Sequence, residues 1–431
     1  MFKTLRLAAL FTFILLQTIA QGRAKGLEGY WAGQLFYKGS PWEIGLTVQR
    51  VDTGHVVLLD IPSLVMAWEP VPCRTQGRTL IVTFPFGVGT MALKNTADTI
   101  RSANTDFTLQ LVRRPLVTYP SKEVSWTNGE VTLRGTLYTP AAATGPVPLM
   151  ILTHGASVGH RGKWGYRSYA KFYLDRGLAV LLYDRRGEGA STGDADSATL
   201  NDLKEDLLLG LDHIRSEPGI DTARILVGGG SQAAYIAFMA AAERSAIRGL
   251  ILSSAAAVGM DEQEIQNVVY YMRDQQEPPE NIDTAKAYMR QYFYHAATGD
   301  RWHVLDSLAR VAEETRWGGY LDQPLKPEHM HWWRANHNVY RPEMLLPRIS
   351  VPTLLIYGEK DYIVPPQEQT GLMEHYFRKA GNKALTIQLC PGADHGLELP
   401  SYLAPDGGFH WPRKAPELFE SVDAFLKTYV F

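Results

Sequence analysis

Five apolar runs constrain this chain more than anything else in it: "PLMILTH" (148–154), "LAVLLYD" (178–184), "RILVGGG" (224–230), "GLILSSA" (249–255) and "PTLLIYG" (352–358). None alternates polar with apolar residues, so a strand made from any of them must be buried on both faces. Helical stretches lie between most of them. Strands buried on both faces and linked by helices give a parallel sheet with helices on each side. The segment from about Gly259 to Ser350 breaks the rhythm, with helical patches, many aromatics and no sheet strand. It reads as a cap inserted over one edge of the sheet.

The residues before this region have another texture. From Gly29 to about Arg113, runs such as "HVVLLDI", "TLIVTF" and "FTLQLV" are short and β-rich, with Gly, Asp, Asn and Pro between them. They predict a small antiparallel β-domain over 27–114, closed or sandwiched, followed by the α/β domain over 120–431. Asn128-Gly129 in "EVSWTNGEVTLRGTLYTP" predicts a hairpin whose turn uses positive φ at both residues. With 431 residues there is length for two domains, and a formal net charge of −2 gives no general attraction to nucleic acid or anionic membrane.

The start, "MFKTLRLAALFTFILLQTIAQG", has Lys3 and Arg6, a short apolar run, and small residues before Gln21. That pattern predicts a signal peptide over 1–20, cleaved after Ala20 or Ala24. It implies export to the periplasm or medium with no stable membrane anchor afterwards. Cys73 and Cys390 are the only cysteines, which excludes a disulfide scaffold or a cysteine zinc cluster. Unpaired thiols are the simpler reading, and a bridge between them stays open.

"ILVGGGSQAAYIAFMAAA" (225–242) joins a buried strand to a good helix former, so its glycines form a strand-to-helix turn, not a linker. Gly228, Gly230 and Ala233 fit a dinucleotide loop, but the next strand, "GLILSSAAA", ends without the acidic residue that would hold a ribose. Gly229, Ser231 and Ala233 fit a nucleophile elbow with alanine in the place of its last glycine. An elbow serine needs a base, and the base needs an acid to orient it. Asp361 follows the strand "PTLLIYG", with Glu359 as a second choice of acid. His395 follows the strand in "IQLCPGADHGLE". Each stands just past the carboxyl end of a strand, where a doubly wound sheet gathers its site.

"THGAS", "YDRRGEGAST", "GGGSQAA", "GEKDYIVP" and "GADHG" occur in the order of the α/β-hydrolase superfamily, which residues from about 120 to 431 resemble. With the preceding β-domain, the chain resembles bacterial serine esterases that carry such an extension. The resemblance implies Ser231 as nucleophile, His395 as base and Asp361 as acid, with the backbone N–H groups of Ala156 and Gln232 as oxyanion donors. It implies that Asp184, Arg186 and Gly187 form a structural loop, and that His154 is structural too. Ala233 is expected to widen the elbow slightly, and Gly230 to open space beside the nucleophile. Trp302, Trp317, Trp332 and Trp333 suit either a substrate wall or the cap's own core; Trp332 and Trp333 are the candidates for substrate contact. His329 and His331 lack further ligands nearby, so no metal is expected, and no cofactor. The implied function is hydrolysis of a small-molecule carboxylic ester through an acyl-enzyme. Peptidase, thioesterase or acyltransferase chemistry on the same triad, or a binding module that kept the fold, are the alternatives.

Overall fold

The computed structural model describes residues 26–52, 54–76, 79–96, 98–321 and 330–431. The leader read in residues 1–20, and His329, lie outside them. No helix among the described residues is long and apolar enough to cross a membrane.

The first sheet is antiparallel. Its strands are β1 (Gly29–Tyr37), β2 (Ser40–Val51), β3 (Gly54–Ile61), β4 (Met66–Val71), β5 (Cys73–Gln76), β6 (Thr79–Phe84), β7 (Gly89–Thr96), β8 (Thr99–Ala103) and β9 (Phe107–Arg114). The order is β4-β3-β2-β1-β9-β8-β7-β6-β5. The end strands β4 and β5 are separated in sequence only by Pro72, so the sheet must roll back on itself. The Cys73 thiol, on β5, donates to the carbonyl of His55 on β3, across that closure. Alternate residues such as Trp31, Leu35, Ile44, Leu46, Val57 and Leu59 point inward and fill the interior.

The second sheet has the order β10-β11-β13-β12-β14-β15-β16-β17. Its strands are β10 (Ser121–Asn128), β11 (Val131–Tyr138), β12 (Val147–Leu152), β13 (Ala179–Tyr183), β14 (Ile220–Gly230), β15 (Gly249–Ser253), β16 (Thr353–Gly358) and β17 (Leu385–Cys390). From β13 across to β17 the pairing is parallel, and β10 and β11 add antiparallel strands at one edge. All five residues of β13 and all six of β16 are buried, as unalternated runs require. The hairpin forms one residue later than expected. Asn128 pairs with Val131, so the turn is Gly129-Glu130, and only Gly129 takes positive φ.

The helices are α1 (Trp164–Leu174), α2 (Leu200–Ile214), α3 (Gln232–Glu243), α4 (Met260–Asp274), α5 (Pro279–Thr298), α6 (Trp302–Glu313), α7 (His331–Asn336), α8 (Pro342–Leu345), α9 (Pro366–Lys379) and α10 (Pro416–Tyr429). Helices α4 to α8 fill the interval between β15 and β16, where the cap was expected. The cap has its own core, built on Met272, Tyr288, Phe293, Leu305 and Trp317. Trp317 is therefore cap core, while Trp302 is exposed. Helix α1 lies against β4: Ser168 Oγ accepts from the Ala67 N–H at 2.8 Å, and Arg167 pairs with Glu69 at 3.4 Å. Cys73 and Cys390 are unpaired and belong to different cores; burial pushes the Cys390 thiol up to about 12.

Candidate active site

β14 runs straight into α3, and Ser231 is the residue between them. Its backbone stands at φ 59°, ψ −126°, a region that costs a side-chain-bearing residue about 1–3 kcal/mol. Its side chain makes no capping bond to the helix. A serine in that conformation is not there as an ordinary N-cap, which needs extended backbone and an oxygen turned to the helix N–H groups. Gly229, at φ 156°, makes the turn possible: a Cβ there would lie 2.5 Å from Ala233 Cβ and 3.1 Å from the Thr153 carbonyl oxygen. The extra methyl of Ala233 therefore sits in space that Gly229 leaves empty, and Ala233 is fully buried. The expected opening beside Gly230 is filled. A Cβ on Gly230 would collide with Ser253 Oγ. Gly230 is small because a neighbouring hydroxyl occupies its side-chain space.

Asp361 and His395 hang from adjacent strands. β16 pairs with β17 up to Gly358 and Cys390, and the turns beyond them come together. Gly358 permits that approach, since a Cβ there would collide with the Asp394 carbonyl oxygen. Asp361 is fully buried; its Oδ1 accepts the N–H groups of Ile363 and Val364, each at 2.9 Å. Its Oδ2 lies 2.9 Å from His395 Nδ1. Glu359, the alternative acid, is engaged elsewhere: its Oε2 accepts the Gly392 N–H at 2.8 Å.

Ser253 and Ser254 tie the two halves of the site together. The Ser231 N–H donates to the Ser253 carbonyl at 3.0 Å. Ser254, buried and at φ 49°, donates its hydroxyl to the His395 carbonyl at 3.1 Å. Two consecutive residues at the end of β15 thus hold the elbow on one side and the histidine turn on the other. His395 Nδ1 is committed to Asp361, which leaves Nε2 as the nitrogen free to face a substrate or a hydroxyl.

The expected oxyanion donors come from two other strand ends. Gln232 opens α3, so its N–H has no carbonyl four residues back within the helix, and the helix dipole favours negative charge there. Ala156 lies in the loop after β12, where Gly155 approaches the Gly230 carbonyl. That loop is braced from below. Arg185 NH1 donates to the Gly155 carbonyl at 3.4 Å, and the carboxylates of Glu188 and Asp184 accept the N–H groups of Gly159 and Arg161. The side-chain carbonyl of Gln232 is buried and has no hydrogen-bond partner among the described residues. Neither this orphaned carbonyl nor the Ser253-Ser254 link is legible in the sequence.

His154 is structural. It is buried between Tyr166 and Tyr183 and donates from Nε2 to the Tyr183 carbonyl at 2.8 Å. Burial lowers it from 6.5 to about 3, so the folded protein keeps it neutral. The unfolded chain takes up a proton below about 6.5, so this group's contribution to stability is complete above that pH. It falls away as pH drops towards 3, by at most about 1.4 kcal/mol per pH unit. A His154→Gln variant, which keeps a donor for Tyr183, is expected to lose stability less steeply than wild type over that window in urea titrations.

The loop carrying Asp184, Arg186 and Gly187 is structural as well. Arg186 grips Asp206 through two bonds, at 2.7 and 2.6 Å, and Asn128 Nδ2 adds a third at 2.9 Å. The Asp206 carboxylate is almost wholly buried. Arg186→Met strands that charge and is expected to cost about 3–5 kcal/mol in denaturant unfolding. A double variant with Asp206→Leu should recover much of the loss.

In the cap, Trp332 donates its indole N–H to the Ala198 carbonyl at 3.1 Å and packs on the core of the hydrolase domain. Trp333 packs edge-on to Phe293 and borders a cavity of about 90 Å³ with Gly259, Asn336 and Tyr340. Ser231, Asp361 and His395 do not line that cavity.

The sequence pattern of the alpha/beta hydrolase family fits residues 150–411. No curated protein matches the chain. Solved structures that match the chain include Est1E from Butyrivibrio proteoclasticus, at 17% identity over 71% of this chain and 96% of that one, TM-score 0.42. The Pyrococcus furiosus esterase Pf2001 is 19% identical over 73% and 92%, TM-score 0.46. The alpha/beta hydrolase GrgF from Penicillium sp. sh18 is 18% identical over 72% and 100%, TM-score 0.45. Because the family pattern covers well over half of its length, from within β12 to beyond the histidine turn, the chain belongs to the alpha/beta hydrolase family.

Proposed function

We propose that this protein is a serine hydrolase that cleaves carboxylic esters through an acyl-enzyme. The observation that carries the reading is Ser231, held at positive φ on the strand–helix turn, together with a histidine whose Nδ1 is fixed by a buried carboxylate. In this reading Ser231 Oγ attacks the acyl carbon while His395 Nε2 takes its proton. The tetrahedral oxyanion is received by the Gln232 and Ala156 N–H groups, each such donor contributing about 2.7–4 kcal/mol. His395 then protonates the leaving alcohol. Water, deprotonated in turn by His395, releases the acid and restores Ser231. Asp361 stabilises the imidazolium throughout. Trp332 serves as an anchor to Ala198, and Trp333 borders a cavity that Ser231 and His395 do not line, so neither ring is assigned to substrate contact. The leader supports export of the mature chain.

The test is a hydrolysis screen over p-nitrophenyl esters of graded acyl length beside thioesters and peptide amides, with fluorophosphonate labelling of the same preparation. Turnover of esters and a label on the Ser231 peptide support the reading. Faster turnover of amides or thioesters would reassign the substrate, and absence of both turnover and label would sink it.

A further inference from the structure

After His395 the chain does not pass directly to α10. Ala415 donates its N–H to the Leu397 carbonyl at 2.9 Å, so the two ends of residues 398–414 already touch. Between them the chain runs out and back as a ribbon. Glu398–Leu399 pairs antiparallel with Arg413–Lys414, and farther out Tyr402–Leu403 pairs with Phe409–His410. The ribbon joins neither large sheet. Its outer part packs instead on the β-domain. Trp411 stacks on Trp42 with centroids 4.4 Å apart and rings 10° from parallel, and its indole N–H donates to the Ser40 carbonyl at 3.0 Å. Phe409 meets Tyr37 edge-on at 4.8 Å. Trp411 is 7% exposed and counts among the β-domain's own core residues.

At its root the ribbon grips the histidine turn. Lys414 is buried and donates from Nζ to the Gly396 carbonyl at 2.8 Å and to Glu398 at 2.7 Å. Burial opposes its charge, but the Tyr169 phenol and the Glu398 carboxylate hold its pKa above the ordinary lysine value. The His395 carbonyl, one residue earlier, is already held by Ser254. Consecutive carbonyls of the turn are therefore fixed by two different elements, one beside the parallel sheet and one in the ribbon. Asp394 Oδ1 accepts the N–H groups of Gly396 and Glu398 and completes the turn.

We propose that the ribbon 398–414 makes the N-terminal β-domain a positioning element for His395, with Trp411 as its anchor in that domain and Lys414 as its clamp on the histidine turn. This rests on His395 being the catalytic base. Trp411 and Lys414 touch neither substrate nor imidazole. They set where the imidazole stands, and misplacing a catalytic group by about 1 Å can cost on the order of 10²-fold in rate.

The test uses the full chain and its Trp411→Ala, Trp411→Phe, Lys414→Met and Lys414→Arg variants. Two quantities are read: kcat and KM on a p-nitrophenyl ester, and hydrogen exchange of the peptide covering residues 392–398. Trp411→Ala and Lys414→Met are expected to lower kcat by about 10- to 100-fold, with KM held within about twofold. Exchange should quicken in that peptide, and Trp411→Phe and Lys414→Arg should restore most of both. Unchanged kcat, or faster exchange spread evenly over the chain, would overturn the proposal. Should Trp411→Ala fail to fold, the Lys414 pair decides by the same readings. A wild-type chain that neither turns over esters nor takes a fluorophosphonate would overturn the esterase reading instead, and exchange at 392–398 would still show whether the ribbon holds the turn.

Discussion

Ser231→Ala is expected to abolish ester turnover, a loss on the order of 10⁶-fold, while the protein stays folded. The two halves of this expectation have separate grounds. Activity goes because no other hydroxyl occupies the elbow; Ser253 Oγ fills the side-chain space of Gly230, and Ser254 is spent on the His395 carbonyl. Stability stays because the Ser231 side chain makes no capping bond, so the usual penalty of about 1 kcal/mol for removing an N-cap does not arise. Ser231→Gly sharpens the test. Glycine adopts φ 59° without penalty, so this variant should be more stable than Ser231→Ala and equally inactive. Stabilisation on loss of the Cβ shows the backbone strain that any side chain at this position bears, and that Ser231 therefore bears. Near-normal turnover by either variant, or a fluorophosphonate label elsewhere, would remove Ser231 from the role.

What could be read from the sequence was local. The runs at 178–184 and 352–358 announced strands buried on both faces because burial on both faces leaves no polar position to write. The elbow was legible for the same reason: strand, turn and helix lie within one stretch, and the need for small residues at 229 and 233 is steric. Asp361 and His395 were legible as residues just past strand ends. The unread features depend on residues distant in sequence meeting in space. Ser254 and His395 are joined by a bond across two strands and the whole cap. Trp411 finds Ser40 from the opposite end of the chain. Gly230 looked like open space because nothing in its own stretch says that Ser253 leans into it. Asn128 shows the limit in miniature. Asn-Gly rightly marked a hairpin, but Asn128 closes the strand and spends its side chain on Asp206, so the turn begins at Gly129. Trp332 and Trp333, adjacent in sequence and alike in type, part company in the fold, one bonded to Ala198 and the other beside a cavity.

Asp361→Asn is expected to cut kcat by about 10⁴-fold with little change in the fold. The geometry fixes which way the new amide turns. Asp361 Oδ1 accepts two backbone N–H groups, from Ile363 and Val364, and only an oxygen can serve them. The carbonyl of the new amide must therefore take the Oδ1 place, which puts its NH₂ group at the Oδ2 place, 2.9 Å from His395 Nδ1. Nδ1–H then meets a donor at its closer contact, and its other contact, Oδ1 at 3.0 Å, is a carbonyl oxygen already serving two backbone N–H groups. The imidazole responds by giving up the proton on Nδ1 and carrying it on Nε2, the nitrogen that must be bare to take the proton from Ser231. The variant thus holds its histidine in place and in the wrong tautomer, and it lacks the negative charge that would stabilise the imidazolium. A purely structural role for Asp361 would leave the change nearly silent in both rate and stability, because both backbone bonds survive it. The decisive comparison is between kcat and the unfolding midpoint of Asp361→Asn and those of Glu359→Gln. A crippled, stable Asp361→Asn beside a Glu359→Gln of near-normal rate assigns the acid to Asp361. A silent Asp361→Asn with a crippled Glu359→Gln would move it to Glu359.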